Sequence, residues 1–305
     1  MLELRRLSKR YGDAVALDQL SFEVAEGRLF GFVGPNGAGK TTAMRIVIGV
    51  LEPDSGEVRW RGSPLDHASR ARIGYMPEER GLYAKMRVAE QLTYFAQLRG
   101  LARARAAARA REWLERLGIG DRAGDRVEEL SLGNQQRVQL AAALVHEPEL
   151  LICDEPFSGL DPVGVDLLSD VLIEETRRRG VPVVFSSHQL ELVERLCEGV
   201  AIIKDGRLVA SGRVEDLRQE RGGRRWRAEL VDAGDGWAES LVGVRRVAEH
   251  VFELADGDDP QRLLAAALET GAVARFGPEQ PTLAELFRDV VSEDAERNAA
   301  GPAAA

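Results

Sequence analysis

The sequence predicts an α/β fold: a parallel sheet accompanied by an antiparallel β subdomain and a helical subdomain, then a small C-terminal α+β domain. Three observations predict it. The short apolar runs "RLFGFVG" (28–34), "ELLICDEP" (149–156) and "PVVFSSH" (182–188) end in Gly, carboxylate or polar residues, as buried parallel strands do when their C-terminal ends carry function. Near the N-terminus, "LELRRL", "SFEVAEG" and "GEVRWRG" alternate as half-buried antiparallel strands do. Past residue 227, strand and helix patterns alternate again.

The chain has 305 residues, enough for one large domain and a smaller one. Its formal charge of −9 speaks against a general nucleic-acid binder, and no nucleic-acid partner is expected. Cys153 and Cys197 are too few for a disulfide framework or a metal cluster. Cys153 lies in an apolar run and reads as a buried free thiol in a reducing compartment. No run approaches the roughly 18 apolar residues of a membrane span, and "MLELRRLSKRYG" lacks a signal peptide's apolar core. The chain is expected to be cytosolic by itself and to meet a membrane only through a partner.

In chain order, the first strong element is "GPNGAGKTT", Gly34-Pro35-Asn36-Gly37-Ala38-Gly39-Lys40-Thr41-Thr42. It follows an apolar strand and opens the helix pattern "KTTAMRIVIGVL". This is the G-x-x-x-x-G-K-[ST] loop, whose glycines turn backbone N–H groups onto phosphates at a helix N-terminus. Lys40 would reach the β- and γ-phosphates, and Thr41 would ligate Mg²⁺. Residues 86–117 read as helical, and the arginine-rich "RGLARARAAARAR" within them is a solvated helix face or a nucleic-acid surface, the former favoured because no aromatics interleave. "LSLGNQQR" (130–137) places Ser131 as the cap of a further helix, a second anion-binding end. Asp154 at the end of "LLICDEP" suits a Mg²⁺ contact, and Glu155 suits a general base that polarises water. Alone, the pair is equally a helix entry. His188 alone reads as a structural histidine; after two functional strand ends it can reach the γ-phosphate or the attacking water. Tyr11 is either filler or a ring that stacks on a nucleobase. "VAIIKDGRLVASG" reads as a hairpin turning at Asp205-Gly206, and "RQERGGRRWR" (218–227) as a linker in preference to an RNA-contacting segment.

In this order, these pieces resemble the ATP-binding subunit of ABC transporters over about residues 2–217. Tyr11 matches the adenine-stacking aromatic, "GPNGAGKTT" the phosphate loop, and "LSLGNQQR" the signature. "LLICDEP" matches the carboxylate strand, "SGLD" (ending at Asp161) the loop after it, and His188 the switch histidine. "PTLAELFRDVV" looks like part of the accessory domain of a bacterial exporter branch similar to the sodium-export ATPase subunit. The resemblance implies a phosphate-loop ATPase core over 1–219, with its helical subdomain at about 84–146. The accessory domain would follow at 223–292, and the tail 293–305 reads as disordered. It implies ATP and Mg²⁺, and a head-to-tail dimer with itself or a related ATPase. In that dimer Ser131, Gly133 and Asn134 would cap the γ-phosphate held by the other subunit. It further implies a separate transmembrane permease, binding at the cytoplasmic face of the membrane, and export as the task. Two departures stand out. Leu132 and Asn134 replace a Gly and a Gln of the signature. Glu78 stands where most members have a Gln that touches Mg²⁺ and water; it could serve there or cap its loop. Other classes, a soluble ABC ATPase acting on ribosomes or DNA and a non-catalytic nucleotide sensor, fit less well: there is one cassette, no sustained heptads, and an intact set of Lys40, Asp154, Glu155 and His188.

Overall fold

A computed structural model of the chain describes residues 1–288 apart from Arg80, Gly223, 232–234 and Asp256; the tail 293–305 lies outside the described residues. The chain divides into two compact units, Met1–Gly212 and one that begins at Arg213.

The first unit opens with a hairpin of β1 (Leu2–Tyr11) and β2 (Ala14–Val24). Leu4 and Leu7 are three apart yet both buried, because the register against β2 shifts between them and Arg6 takes φ 47. That bulge returns the apolar positions to one face. Next come β3 (Leu29–Val33), α1 (Lys40–Ile48), β4 (Ser55–Trp60), β5 (Ser63–Pro64), α2 (His67–Arg70) and β6 (Ile73–Met76). Helices α3 (Val88–Leu98), α4 (Arg103–Arg116) and α5 (Leu132–Leu144) lead to β7 (Leu150–Cys153), α6 (Pro162–Arg179), β8 (Val183–Ser187), α7 (Leu190–Leu196), β9 (Gly199–Lys204) and β10 (Arg207–Arg213). Strands β2-β1-β4-β5 form an antiparallel sheet.

The second sheet has the order β10-β9-β3-β8-β7-β6, with parallel pairing from β9 through β6. Every residue of β3, β7 and β8 is buried, which is why these strands read as unbroken apolar runs. Their C-terminal ends share one edge, so the phosphate loop, Asp154-Glu155 and Ser187-His188 emerge together. Asp205 (φ 49) and Gly206 (φ 78) close the expected β9–β10 hairpin with the left-handed pair such a turn requires.

In the helical subdomain Ala106, Ala110, Trp113 and Leu114 make the buried stripe of α4. Arg105, Arg109 and Arg116 of this helix pair with acids. Arg105 and Arg109 both meet Glu147, and Arg109 also meets Glu112 at 2.6 Å. Arg116 lies over the Trp113 ring and bonds Glu174 and Glu175. Beside α5, a cavity of about 250 Å³ is lined by Tyr75, Phe95, Leu98, Gln139 and His146, among others. Burial first, then the nearby Arg99, pushes the His146 imidazole down from its ordinary 6.5 to about 4. A histidine depressed in the folded state contributes its stability above the unfolded value and loses it as pH falls toward the folded one. The unfolded chain therefore takes up a proton below pH 6.5 that the folded chain refuses until about pH 4. In urea titrations at pH 7 and pH 5, His146→Gln should lose up to about 2 kcal/mol less than wild type over that interval. Equal losses would remove the histidine from the account.

The second unit contains α8 (Val214–Gly222), β11 (Arg225–Leu230), β12 (Val244–Ala248), β13 (Val251–Leu254), α9 (Pro260–Thr270) and β14 (Val273–Pro278). Its sheet, β12-β13-β11-β14, is antiparallel. Ala228, Phe252, Leu254 and Leu263 form the core, with Trp226 stacked on Phe276. The stretch 218–227, read from sequence as a linker, is instead mostly the end of α8 and the start of β11. Arg218 donates to the Pro281 carbonyl at 3.0 Å, so part of the Gly/Arg cluster packs within the unit.

Candidate functional site

The phosphate loop is built by what its glycines allow. A Cβ on Gly34 would stand 2.3 Å from the Ile203 carbonyl oxygen, and one on Gly39 2.4 Å from that of Ala16. Gly39 also holds φ 103 as the N-cap of α1, with no side chain capping the helix and no acid in its first turn. The helix therefore presents its opening N–H groups and its positive end unspent. They face a cleft of about 310 Å³ lined by Ala16, Asn36, Gly37, Gly39, Lys40, Thr41, Thr42, Glu78, Asp154 and Glu155. Lys40 is 7% exposed. Its Nζ donates to the Gly34 carbonyl at 2.7 Å and the Pro35 carbonyl at 3.2 Å, and lies 4.0 Å from Glu155 Oε1. Burial draws its pKa down, against the pull of Glu155, Asp154 and Glu78. Ala38 is buried, and its N–H closes the loop onto Pro35.

At the far side of the cleft Asp154 and Glu155 are both buried. Glu155 takes φ 48, a left-handed backbone that non-glycine residues rarely adopt. Its Oε2 lies 3.0 Å from His188 Nδ1. Burial raises its pKa, and the His188 hydrogen bond and the charges of His188 and Lys40 oppose that. Asp154 Oδ2 and Glu155 Oε1 are buried without a hydrogen-bond partner, an unfavourable state unless something in the cleft supplies it. Thr41, Asp154 and Glu78 offer only oxygen donors, the chemistry a hard divalent cation takes. Among the described residues no group of three or more His, Cys, Asp or Glu forms an all-protein metal cage; a cation shared between a few protein oxygens and bound phosphates needs none.

The signature residues stand elsewhere. Ser131 caps α5, accepting from Asn134 N–H at 3.3 Å. Leu132 is 57% exposed. None of Ser131, Gly133 and Asn134 lines the phosphate cleft of its own chain. Asp161 caps α6 by accepting from Gly164 N–H at 2.7 Å. Tyr11 is exposed beside the β1–β2 turn, paired with Ala14, and it too does not line the cleft.

Residues 17–158 match the family model described as ABC transporter. A Bacillus subtilis protein named uncharacterized ABC transporter ATP-binding protein YhaQ is 39% identical over 300 residues, covering 95% of this chain and 98% of that protein. The chain belongs to the ATP-binding subunits of ABC transporters. It is accordingly an ATPase. Residues 212–291 of this ABC subunit match the C-terminal domain of DrrA1-3-like ATP-binding proteins. The daunorubicin resistance ATP-binding protein DrrA3 of Streptomyces coeruleorubidus is 34% identical over 298 residues, 94% of each chain. A solved ATP-binding subunit of an ABC transporter shares 32% identity and a TM-score of 0.67, covering 73% of this chain and 93% of that one.

Within this ABC ATPase, several residues near the cleft escape a motif reading. Ser186, 0% exposed, donates to Asp154 Oδ1 at 2.6 Å and accepts from Glu155 N–H at 2.8 Å. Gln136 of α5 donates to the Pro156 carbonyl at 2.8 Å, and Gln139, one turn on, donates to the Pro77 carbonyl. The signature helix thus grips the segments that flank Glu155 and Glu78. The only sequence signal for them is polarity at positions inside otherwise apolar elements.

Proposed function

We propose that this ABC ATPase powers export through a separate transmembrane permease, and that it works as a head-to-tail dimer with two ATP at the interface. One observation carries the hydrolytic part. Lys40, an uncapped helix N-terminus and two orphaned carboxylate oxygens, Asp154 Oδ2 and Glu155 Oε1, line one cleft, while Ser131 lies outside it. A cleft that lacks its own signature is completed by another copy, or by a related ATPase.

On binding, Lys40 turns from the Gly34 and Pro35 carbonyls to the β- and γ-phosphates, and the first-turn N–H groups of α1 take the remaining phosphate oxygens. Thr41, Asp154 and Glu78 would hold Mg²⁺, which neutralises charge on the β- and γ-phosphates when bound. Glu155 Oε1 accepts from the attacking water, and His188 on Oε2 keeps the carboxylate aimed. Water attacks the γ-phosphorus in line, the bond to the β,γ-bridging oxygen breaks, and the departing charge falls on ADP. Ser131 of the second copy donates to the γ-phosphate and joins the copies only while that phosphate is present. Tyr11, exposed at its turn, stacks on adenine.

Export rests on the DrrA3 likeness, since resistance to a toxic compound through a transporter means its removal. The described residues contain no helix long and apolar enough to cross a membrane; the reading assigns the path to a permease, with the chain at the cytoplasmic membrane face. The exposed Tyr83 and Tyr94, packed with Phe95, give that permease an apolar docking surface. The test is to tag the chain in its own cell, solubilise the membranes in detergent, and purify it. A polytopic membrane protein should co-purify in a fixed ratio; ribosomes or DNA with no membrane protein would contradict the reading.

A further inference from the structure

From the geometry at the end of β8 we propose that Ser186 is a positioning residue for hydrolysis: one hydroxyl aims the Asp154 carboxylate and locks the backbone of Glu155. The inference rests on the proposed roles of those two residues. Parallel pairing of β7 with β8 stops at Cys153 opposite Phe185; on the other side Asp154 N–H still bonds the Met76 carbonyl of β6 at 2.8 Å, so it is the β8 side of the ladder that no longer holds the chain. The next two residues are the two carboxylates. Ser186, wholly buried, takes over where the ladder ends. Its Oγ–H donates to Asp154 Oδ1 at 2.6 Å, which leaves Oδ2 as the oxygen with no partner. Ser186 Oγ also accepts the Glu155 N–H at 2.8 Å and thereby holds the φ 48 backbone that carries the Glu155 carboxylate to His188 and Lys40.

Both bonds are specific to a hydroxyl, because one group must donate to a carboxylate and accept from an amide at once. A residue lacking it orphans two buried groups, and the Asp154 carboxylate is then free to rotate both oxygens toward the cleft. Partners that orient a metal ligand from behind typically change metal affinity or activity by about 10–100-fold, and that is the size expected here.

The experiment uses the full chain. Mn²⁺ binding is read by electron paramagnetic resonance with a non-hydrolysable ATP analogue present, alongside kcat, KM for ATP, and fluorescent-ATP binding in EDTA. S186A should weaken Mn²⁺ about tenfold and lower kcat about 10–100-fold, with metal-free nucleotide binding unchanged. S186T, which keeps the hydroxyl, should restore both. Wild-type Mn²⁺ affinity and kcat in S186A would overturn the proposal. If S186A fails to bind metal-free nucleotide, S186T decides: near-wild-type Mn²⁺ affinity and kcat support the hydroxyl's role, and a tenfold loss of both overturns it. D154N separates the two layers. Unchanged Mn²⁺ affinity in D154N would defeat the metal-side role of Asp154 itself, whereas a loss in D154N without one in S186A defeats only the serine.

Discussion

Glu155→Gln lowers ATP turnover by about 10²–10⁴-fold while ATP still binds, the range expected when a positioned general base is removed. The amide keeps the side chain's size, its place at the left-handed position, and an oxygen or nitrogen for His188. It loses the negative charge that lies 4.0 Å from Lys40, one of the two acceptor oxygens, and the basicity of a carboxylate. Water then meets no group basic enough to take its proton, and a charge that repels the γ-phosphate is gone. Binding should hold or tighten, and the ATP-bound form should accumulate. Phosphate release at saturating ATP, read beside equilibrium nucleotide binding, checks both halves. Hydrolysis at the wild-type rate would remove Glu155 from the role of base.

Ser131→Arg separates binding from turnover in the other direction. Losing a serine N-cap costs about 1 kcal/mol, a tolerable loss for a helix whose Gln136, Val138, Gln139 and Leu140 are buried. The chain should remain folded, and because Ser131 does not line its own cleft, ATP should bind with unchanged affinity. An arginine at the cap is too long for a surface that must close on another copy's phosphate. Hydrolysis should fall at least about 10²-fold, the scale of one lost donor to developing charge. Ser131→Ala, which lacks the bulk, should sit between the two. Tenfold weaker ATP binding by the isolated Ser131→Arg chain would mean that the signature acts on its own cleft.

How much was legible follows from where each residue finds its partners. The phosphate loop is contiguous, and its glycines, lysine and threonine act through local backbone, so the motif alone places them. Asp154, Glu155 and His188 are legible as strand ends, because parallel strands buried on both faces announce themselves as apolar runs. Ser186 is not, since its bonds to Asp154 and Glu155 cross 32 and 31 positions and exist only through sheet register. Gln139 reaches the Pro77 carbonyl across 62 positions because α5 packs beside the end of β6, which the sequence does not show either. The bulge at Arg6 hides β1's period by placing Leu4 and Leu7 on one face. The stretch 218–227 misleads through composition: its glycines and arginines suggest a linker, while α8 and β11 use most of them as ordinary helix and strand positions. The proposed pairing of Ser131 with Lys40 in one site is legible in no single chain, because it requires a second copy.

Sedimentation velocity of the Glu155→Gln chain with ATP and Mg²⁺ tests that composite site most directly. The account predicts a dimer that forms only with ATP, holds two nucleotides, and fails to form when Ser131→Arg is added to the same chain. A monomer with ATP bound at every phosphate loop, or a dimer indifferent to Ser131→Arg, would contradict it.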